Sequence, residues 1–429
     1  MKTAWKTCLL APLLLAIAGC GDSLPPEAEG RSIVHVWSGW TGDPEAAFER
    51  TLQLFNHSQS EYWAVNASTI EDDSRIMRAL TAGTPPDVFF FWEPSLLGVV
   101  ASHGCVEPLD ERFEASGLKR EEFVDGALEL CTANGQLVAL PLLLDVFALF
   151  YDKQLFREAG LDPDKPPKTT EELLEYTKAL TRIEGNQLRR MGYFIDYPDV
   201  ALGLLGARFY GPDDRPQFDN PSCVHALELI VRLHEIQGGG QEIDAFRAGF
   251  GEYTSPSHQF FVHKIAMYAV GQWWPELTER YAPNMDYAVA PFPCDSNPDG
   301  ISFMGGNFMS LARGAKNPEG GWAFMRWAQT VDAQLAFAKP MNSMPNIREA
   351  LEAPELRSGG KLWVKFGEVA DVALTAKMTY IRPTSISAQY LNEIKNATQF
   401  AVRGTKSPEE ACKDAQARLL KAWEHMRGL

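Results

Sequence analysis

The chain has 429 residues, with 40 Lys and Arg against 56 Asp and Glu, so its formal charge is 40 − 56 = −16. That length exceeds what one hydrophobic core usually organises, so two domains are expected. Hydrophobic residues at 45% and charged residues at 22% exclude a disordered chain and a collagen-like or coiled-coil rod; an acidic chain without a basic run also excludes a nucleic-acid binder that reads phosphates.

Met1 to Cys20 reads as a secretory leader: Lys2 and Lys6, then an apolar stretch from Leu9 to Ala18 that is too short to span a bilayer. Its end, Ile17-Ala18-Gly19-Cys20, resembles the bacterial lipobox, which implies cleavage before Cys20 and a lipid on its thiol. Residues 21–30 are polar and rich in Pro and Gly, as a tether would be. An exported chain can form disulfides, and of the five cysteines beyond the leader, Cys105 and Cys131 are the expected pair. No Cys/His spacing suits a metal, so neither a metal nor another cofactor is expected.

The body alternates strands and helices. Ser32 to Trp37 is an apolar run suited to a strand covered on both faces. Asp43-Pro44 opens a helix, with Asp43 as its cap and Phe48, Leu52 and Phe55 on one face. Arg75 to Ala82 is helical, and Val88 to Trp92 is a buried strand. Leu137 to Tyr151 is too apolar for a loop, and Pro141 interrupts it. Thr169 begins a capping box, and Ser222 to Gln237 is a helix that stops at Gly238-Gly239-Gly240. Lys264–Val270 and Met285–Ala290 read as strands, while Asn317-Pro318 and Ser407-Pro408 each start a helix. The alternation predicts α/β units with parallel strands.

Eight of these segments, in this order and spacing, carry a resemblance: IVHVWSGWTG (33–42), PPDVFFFW (85–92), GCVEPLDE (104–111), GQLVALPLLLDVFALFYDKQLFREAGL (135–161), PPKTTEELLEYTKALT (166–181), KIAMYAVGQWW (264–274), YAVAPFP (287–293) and GGNFMSLARGAKNPEGGWAFMRWAQT (305–330). SPEEACKDAQARL (407–419) closes the series. The chain resembles the family 1 extracellular solute-binding proteins, the sugar-binding receptors of ABC importers that include the maltose-binding type. The resemblance implies a two-lobe α/β fold of the periplasmic-binding-protein type II kind with three chain crossings, near 141–147, 292–305 and 338–346. The lobes would be 31–142 plus 300–342, and 143–299 plus 343–429. It further implies a monomer that binds a carbohydrate, closes its lobes and docks on membrane permease subunits, held to the bacterial envelope by the lipid on Cys20.

A sugar presents flat C–H faces and a rim of hydroxyls, so its site needs an aromatic platform with acidic, amide or Arg partners. Ligands of α/β sheets sit beyond the carboxyl ends of strands. Trp37, Ser38 and Trp40 follow the first strand, with Trp37 equally suited to the core; Trp92 and Glu93 follow another. Asp72 belongs to an acidic run that is also a good helix start. Asp145 is a lone acid among apolar neighbours, and a buried carboxylate must face a cleft or a partner. Asp196 and Tyr197 match an acid and an aromatic that touch sugar in relatives. Of Trp273 and Trp274, the first matches the family's stacking indole. Gly305, Gly306 and Asn307 would bring amides to the ligand, and Arg382 is either a clamp or a surface residue. No nucleophile-elbow, zincin or phosphate-loop motif occurs, so binding is favoured over catalysis. A receptor for a polyol, osmolyte or polyamine and a secreted carbohydrate-active enzyme are the alternatives.

Overall fold

The computed structural model describes residues 24–69, 73–91 and 94–427. Cys20 with the whole leader, and Asp72, Trp92 and Glu93, lie outside the described residues. The chain joins the body within the expected tether, since Pro26–Ala28 form a 3-10 turn that buries Ala28.

The strands are, in chain order, β1 Ser32–Ser38, β2 Tyr62–Thr69, β3 Val88–Phe91, β4 Thr132–Ala133, β5 Gln136–Leu137, β6 Leu140–Asp152, β7 Arg182–Glu184, β8 Gln187–Phe194, β9 Ile265–Gly271, β10 Tyr287–Ala290, β11 Ile301–Leu311, β12 Met344–Pro345 and β13 Lys377–Thr379. One sheet runs β2-β1-β3-β11-β6-β9-β8-β7, with β10 and β12 on β6 and β13 on β11, while β4 and β5 form a separate hairpin. The predicted parallel pairing holds for β1 with β2 and β3 and for β8 with β9, while the edge strand β7 is antiparallel to β8. The two long central strands differ: β6 and β11 are antiparallel to each other, and to their sheet neighbours β9 and β3. The helices lie between the strands in sequence, as the alternation predicts.

Local signals act where a side chain can meet its own backbone. Thr169 accepts from the Glu172 N–H, Asn317 from the Gly320 N–H and Ser407 from the Glu410 N–H, so all three caps form. Asp43 is not a cap: it is the first residue of the helix Asp43–Ser58, and Gly42, at φ 65°, makes the turn into it. β1 is buried on one face only, through Val34, Val36 and Ser38, with His35 on the exposed side. β3 is buried throughout.

Pro141 does not break its segment. β6 runs straight through it for 13 residues, and the register slips at Asn307/Phe308 so that the ladder skips one residue where proline has no N–H to give. The carbonyls displaced by that slip are taken by buried amides: Asn346 Nδ2 donates to the carbonyls of Pro141 (2.9 Å) and Leu142 (2.8 Å), and Gln334 Nε2 also donates to Leu142 (2.8 Å). β6 therefore enters the sheet on side-chain amides from chain segments almost 200 residues away.

Two buried clusters make the core. The larger joins the first strands to β6, β11 and residues as distant as Tyr268 and Trp274. The smaller gathers Phe156, Leu173, Phe218, Tyr390 and their neighbours. The expected disulfide is absent: all five described cysteines are free, Cys131 sealed inside the larger cluster and Cys105 partly exposed at its margin. Burial pushes the Cys131 thiol well above its usual pKa, so it is an inert core residue.

Asn346→Ala removes one of two amide donors from each of the Pro141 and Leu142 carbonyls, which keep Gln329 and Gln334, and a loss of about 1 kcal/mol is expected. Urea unfolding reads it as a lower midpoint at unchanged slope; a change under about 0.5 kcal/mol would show that the slip at Pro141 needs no amide support.

Candidate functional site

In β6, alternate residues share a face, so Asp145 and Phe147 point the same way. Gly305 of β11 stands opposite Asp145 in the ladder, and Phe303 is two residues back on that same face. With no side chain at Gly305, Asp145 is not covered by its cross-strand neighbour: a Cβ built there would lie 3.8 Å from Asp145 Cβ, in ordinary contact. A cavity of about 300 Å³ opens over these residues.

Its aromatic wall is organised by Phe147. The ring meets Trp273 edge-to-face at 5.6 Å, Tyr197 at 5.7 Å and Phe303 at 6.0 Å, each close to perpendicular. Edge-to-face contact places the positive rim of one ring on the negative face of the next, and so fixes their orientations. Trp273 sits two residues past β9, partly buried and packed against both core clusters. Its indole lies on the backbone of Gly271, where an added Cβ would come within 2.1 Å of the ring. Tyr197 follows β8 and is 37% exposed. Ile381, Ser387 and Leu391 close the cavity from the chain beyond β13, and Ser95 faces it from the helix Pro94–Ser102.

The polar content is acidic. Asp145 Oδ1 accepts from Gln272 Nε2 at 2.8 Å, and Gln272 Oε1 is held by the Val146 N–H at 2.9 Å. One amide thus ties the acid to its own strand. Burial raises the Asp145 pKa above the ordinary carboxylate value, and the Gln272 hydrogen bond opposes that rise. Asp199, in the first turn of the helix Pro198–Leu204, adds a second carboxyl. Burial and the nearby Asp196 push the Tyr197 phenol up to about 12.

Of the residues singled out from sequence, Asp145, Tyr197, Trp273, Gly305 and Gly306 line this cavity. Others belong elsewhere. Trp40 is a core residue, 7% exposed and packed on Phe48 (5.0 Å) and Phe90 (5.2 Å). Trp37 packs partly buried on the same cluster, and the buried Ser38 hydroxyl donates to Asn66. Trp274 is fully buried, stacked on Phe261 at 4.8 Å and wedged against His258 and Tyr268. Asn307 is paired with Leu143 in the ladder and lies outside the cavity lining.

The remaining two are committed to ion pairs. Asp196 accepts from Arg247 and from the Tyr268 hydroxyl, and borders a separate cavity of about 160 Å³. Arg382 pairs with Asp214 at 2.7 Å, donates to the Gly211 carbonyl and lies over Tyr210; it borders a third cavity of about 480 Å³. The sequence reading passed over Phe147, Phe303, Gly271 and Gln272. Phe147 was accessible to it, because strand periodicity puts it on the face of Asp145.

Among the described residues there is no group of three His, Cys, Asp or Glu placed to hold a metal, and no helix is long and apolar enough to cross a membrane.

The family model for the bacterial extracellular solute-binding protein matches residues 58–362, and the chain belongs to that family. The maltotriose-binding protein of Pyrococcus abyssi is 25% identical over 353 residues, covering 78% of this chain and 71% of that protein. The sn-glycerol-3-phosphate-binding periplasmic protein of Salmonella typhimurium is 27% identical over 242 residues, covering 52% of this chain and 53% of that one. Among solved structures, the protein CpMnBP1 with mannotriose bound superposes with a TM-score of 0.73 at 25% identity, over 91% of this chain and all of that one. The architecture is thus the two-lobe fold of these receptors.

Two outcomes follow from the geometry around Trp273. Gly271→Ala is expected to displace the indole and cost about 1–3 kcal/mol of stability with an altered tryptophan emission; unchanged emission and stability would mean the backbone yields instead. His258, 3% exposed beside Trp274, is held neutral by burial, its pKa lowered to about 4, with Asp196 opposing. The unfolded chain binds that proton near the ordinary 6.5, so this contribution is complete above pH 6.5 and lost as the pH falls towards 4, by about 3 kcal/mol. His258→Asn should flatten the fall in unfolding free energy between pH 7 and 4.5, and equal slopes in the two proteins would contradict the neutral state.

Proposed function

We propose that this protein is the substrate-binding receptor of an ABC importer, binding a carbohydrate in the Asp145–Trp273 cavity and delivering it unaltered to membrane permease subunits. The observation that carries the reading is the pairing of a flat indole with an isolated acid on one small cavity. An indole face matches the apolar C–H side of a pyranose, and a carboxylate and a serine match its hydroxyl rim. An unmatched hydroxyl in such a cavity costs about 1–3 kcal/mol, so those few polar groups decide which sugar stays. The maltotriose and mannotriose in the names of two similar proteins support a sugar rather than another small solute. The first is named for binding its sugar and the second holds its sugar bound, which supports a receptor over a glycosidase.

The finer parts of the reading rest on the leader and on the order of segments. Cys20 would carry the lipid and residues 21–30 the tether, placing a monomeric body outside the cytoplasmic membrane. The lobes 31–142 plus 300–342 and 143–299 plus 343–429 would close on the sugar, with β6 and β11 as the strands that pass between them. Closure would present both lobes together to the permease.

A thermal-shift screen of neutral mono- and oligosaccharides should find one series that raises the midpoint, because binding to the native state alone stabilises it. For that series Trp273→Ala should weaken binding by about 1–3 kcal/mol while leaving the fold intact. An unchanged dissociation constant would remove the indole from the site, and a panel without any hit would count against a sugar receptor.

A further inference from the structure

The named relatives differ in the charge of what they bind: one is named for a neutral trisaccharide and the other for a phosphate ester. The cavity itself discriminates between these. Among the described residues it is lined by two carboxyl side chains, Asp145 and Asp199, and by no Lys, Arg or His. Neither Arg247 nor Arg382 lines it. Arg247 is bound to Asp196 and Arg382 to Asp214, and each opens onto a different cavity. Asp145 has its hydrogen bond from a neutral amide, Gln272, and so keeps its charge uncompensated on the cavity side. The chain as a whole carries −16, which reinforces the sign of the field in a recess with apolar walls.

We propose that the cavity selects its sugar by charge, admitting neutral sugars and those bearing an ammonium group and rejecting those bearing a carboxylate or a phosphate. This rests on the carbohydrate reading above and refines it. A phosphate or carboxylate seated here would meet Asp145 across an apolar gap with no donor cation, and juxtaposed like charges strongly disfavour binding. A protonated amino group at a ring position facing Asp145 gains a charge-assisted hydrogen bond in the same place.

The test takes the neutral sugar series found by thermal shift and measures its 2-amino-2-deoxy, uronate and 6-phosphate counterparts, together with sn-glycerol 3-phosphate, by calorimetry at pH 7. The expected order places the amino sugar at or above the neutral one and both anionic counterparts at least ~100-fold weaker. Asp145→Asn should lower the amino-to-neutral ratio by roughly tenfold and narrow the gap to the uronate. Salt at 0.5 M should weaken the amino sugar more than the neutral one. A uronate or phosphate that binds as tightly as its neutral parent would overturn the charge selection and leave the sugar receptor standing. Binding of sn-glycerol 3-phosphate in place of every sugar would overturn both.

Discussion

A carboxylate in the middle of a strand whose neighbours are all apolar is the constraint around which this molecule is arranged. Asp145 is flanked by Leu144 and Val146, both fully buried, and burial already lifts its pKa. Such a group is tolerable only with a partner or an opening. The fold supplies one of each: an amide from Gln272 on one oxygen, and a glycine on the facing strand that leaves the other side uncovered. Because side chains alternate along a strand, fixing Asp145 towards the cavity also fixes Phe147 towards it, and the pairing of β6 with β11 adds Phe303. A slip of one residue would turn the acid into the packed layer behind. The bulge at Pro141 and the amides of Asn346 and Gln334 hold that register, which connects a proline deep in the sheet to the geometry of the site.

Close backbone approach is the second device. Gly271 lets the Trp273 ring lie against the end of β9, and Gly306, at φ 149°, has the Leu143 carbonyl where a Cβ would go. Both glycines bring the walls of the cavity near without filling it. Phe147 then locks the three surrounding rings by perpendicular contact, so the indole is held in place before any ligand arrives. A preordered platform loses little rotamer freedom on binding, which favours affinity from a few contacts.

How much of this was legible in the sequence depended on whether the deciding partner was near in the chain. Helix caps were readable because Thr169, Asn317 and Ser407 meet a backbone N–H three residues on. The acid at 145 stood out against its own segment, and Trp273 and Tyr197 stood just past strands. Trp40 and Trp274 carried the same local signature and are core, because a strand-end indole turns inward or outward according to the rings packed around it: Phe48 of the following helix and Phe90 of β3 cover one, Phe261 from the turn before β9 and Tyr268 of β9 the other. The ion pairs of Asp196 and Arg382 were hidden for the same reason. Their partners, Arg247 and Asp214, lie 51 and 168 residues away, and nothing in the local pattern marks the pairing. The antiparallel centre of the sheet was also hidden, since alternation of strands and helices says nothing about the direction of strands paired from distant parts of the chain.

Those distant ion pairs give the remaining charges their place. Arg382, the one cation that sequence position suggested as a clamp, and Arg247 stand at the borders of two other cavities, each tied to its own carboxylate. The largest of the three spaces, at about 480 Å³, carries most of that polarity, whereas the space beneath Trp273 is smaller and mostly apolar apart from its two acids. Volume alone would point to the first. The orientation of the rings points to the second, where an indole in perpendicular contact with a neighbouring ring, a shielded acid and a bare strand glycine meet at one opening. A recess of this kind suits recognition by excluding water and matching a few hydroxyls, and among the described residues that line it none is a Lys, Arg or His.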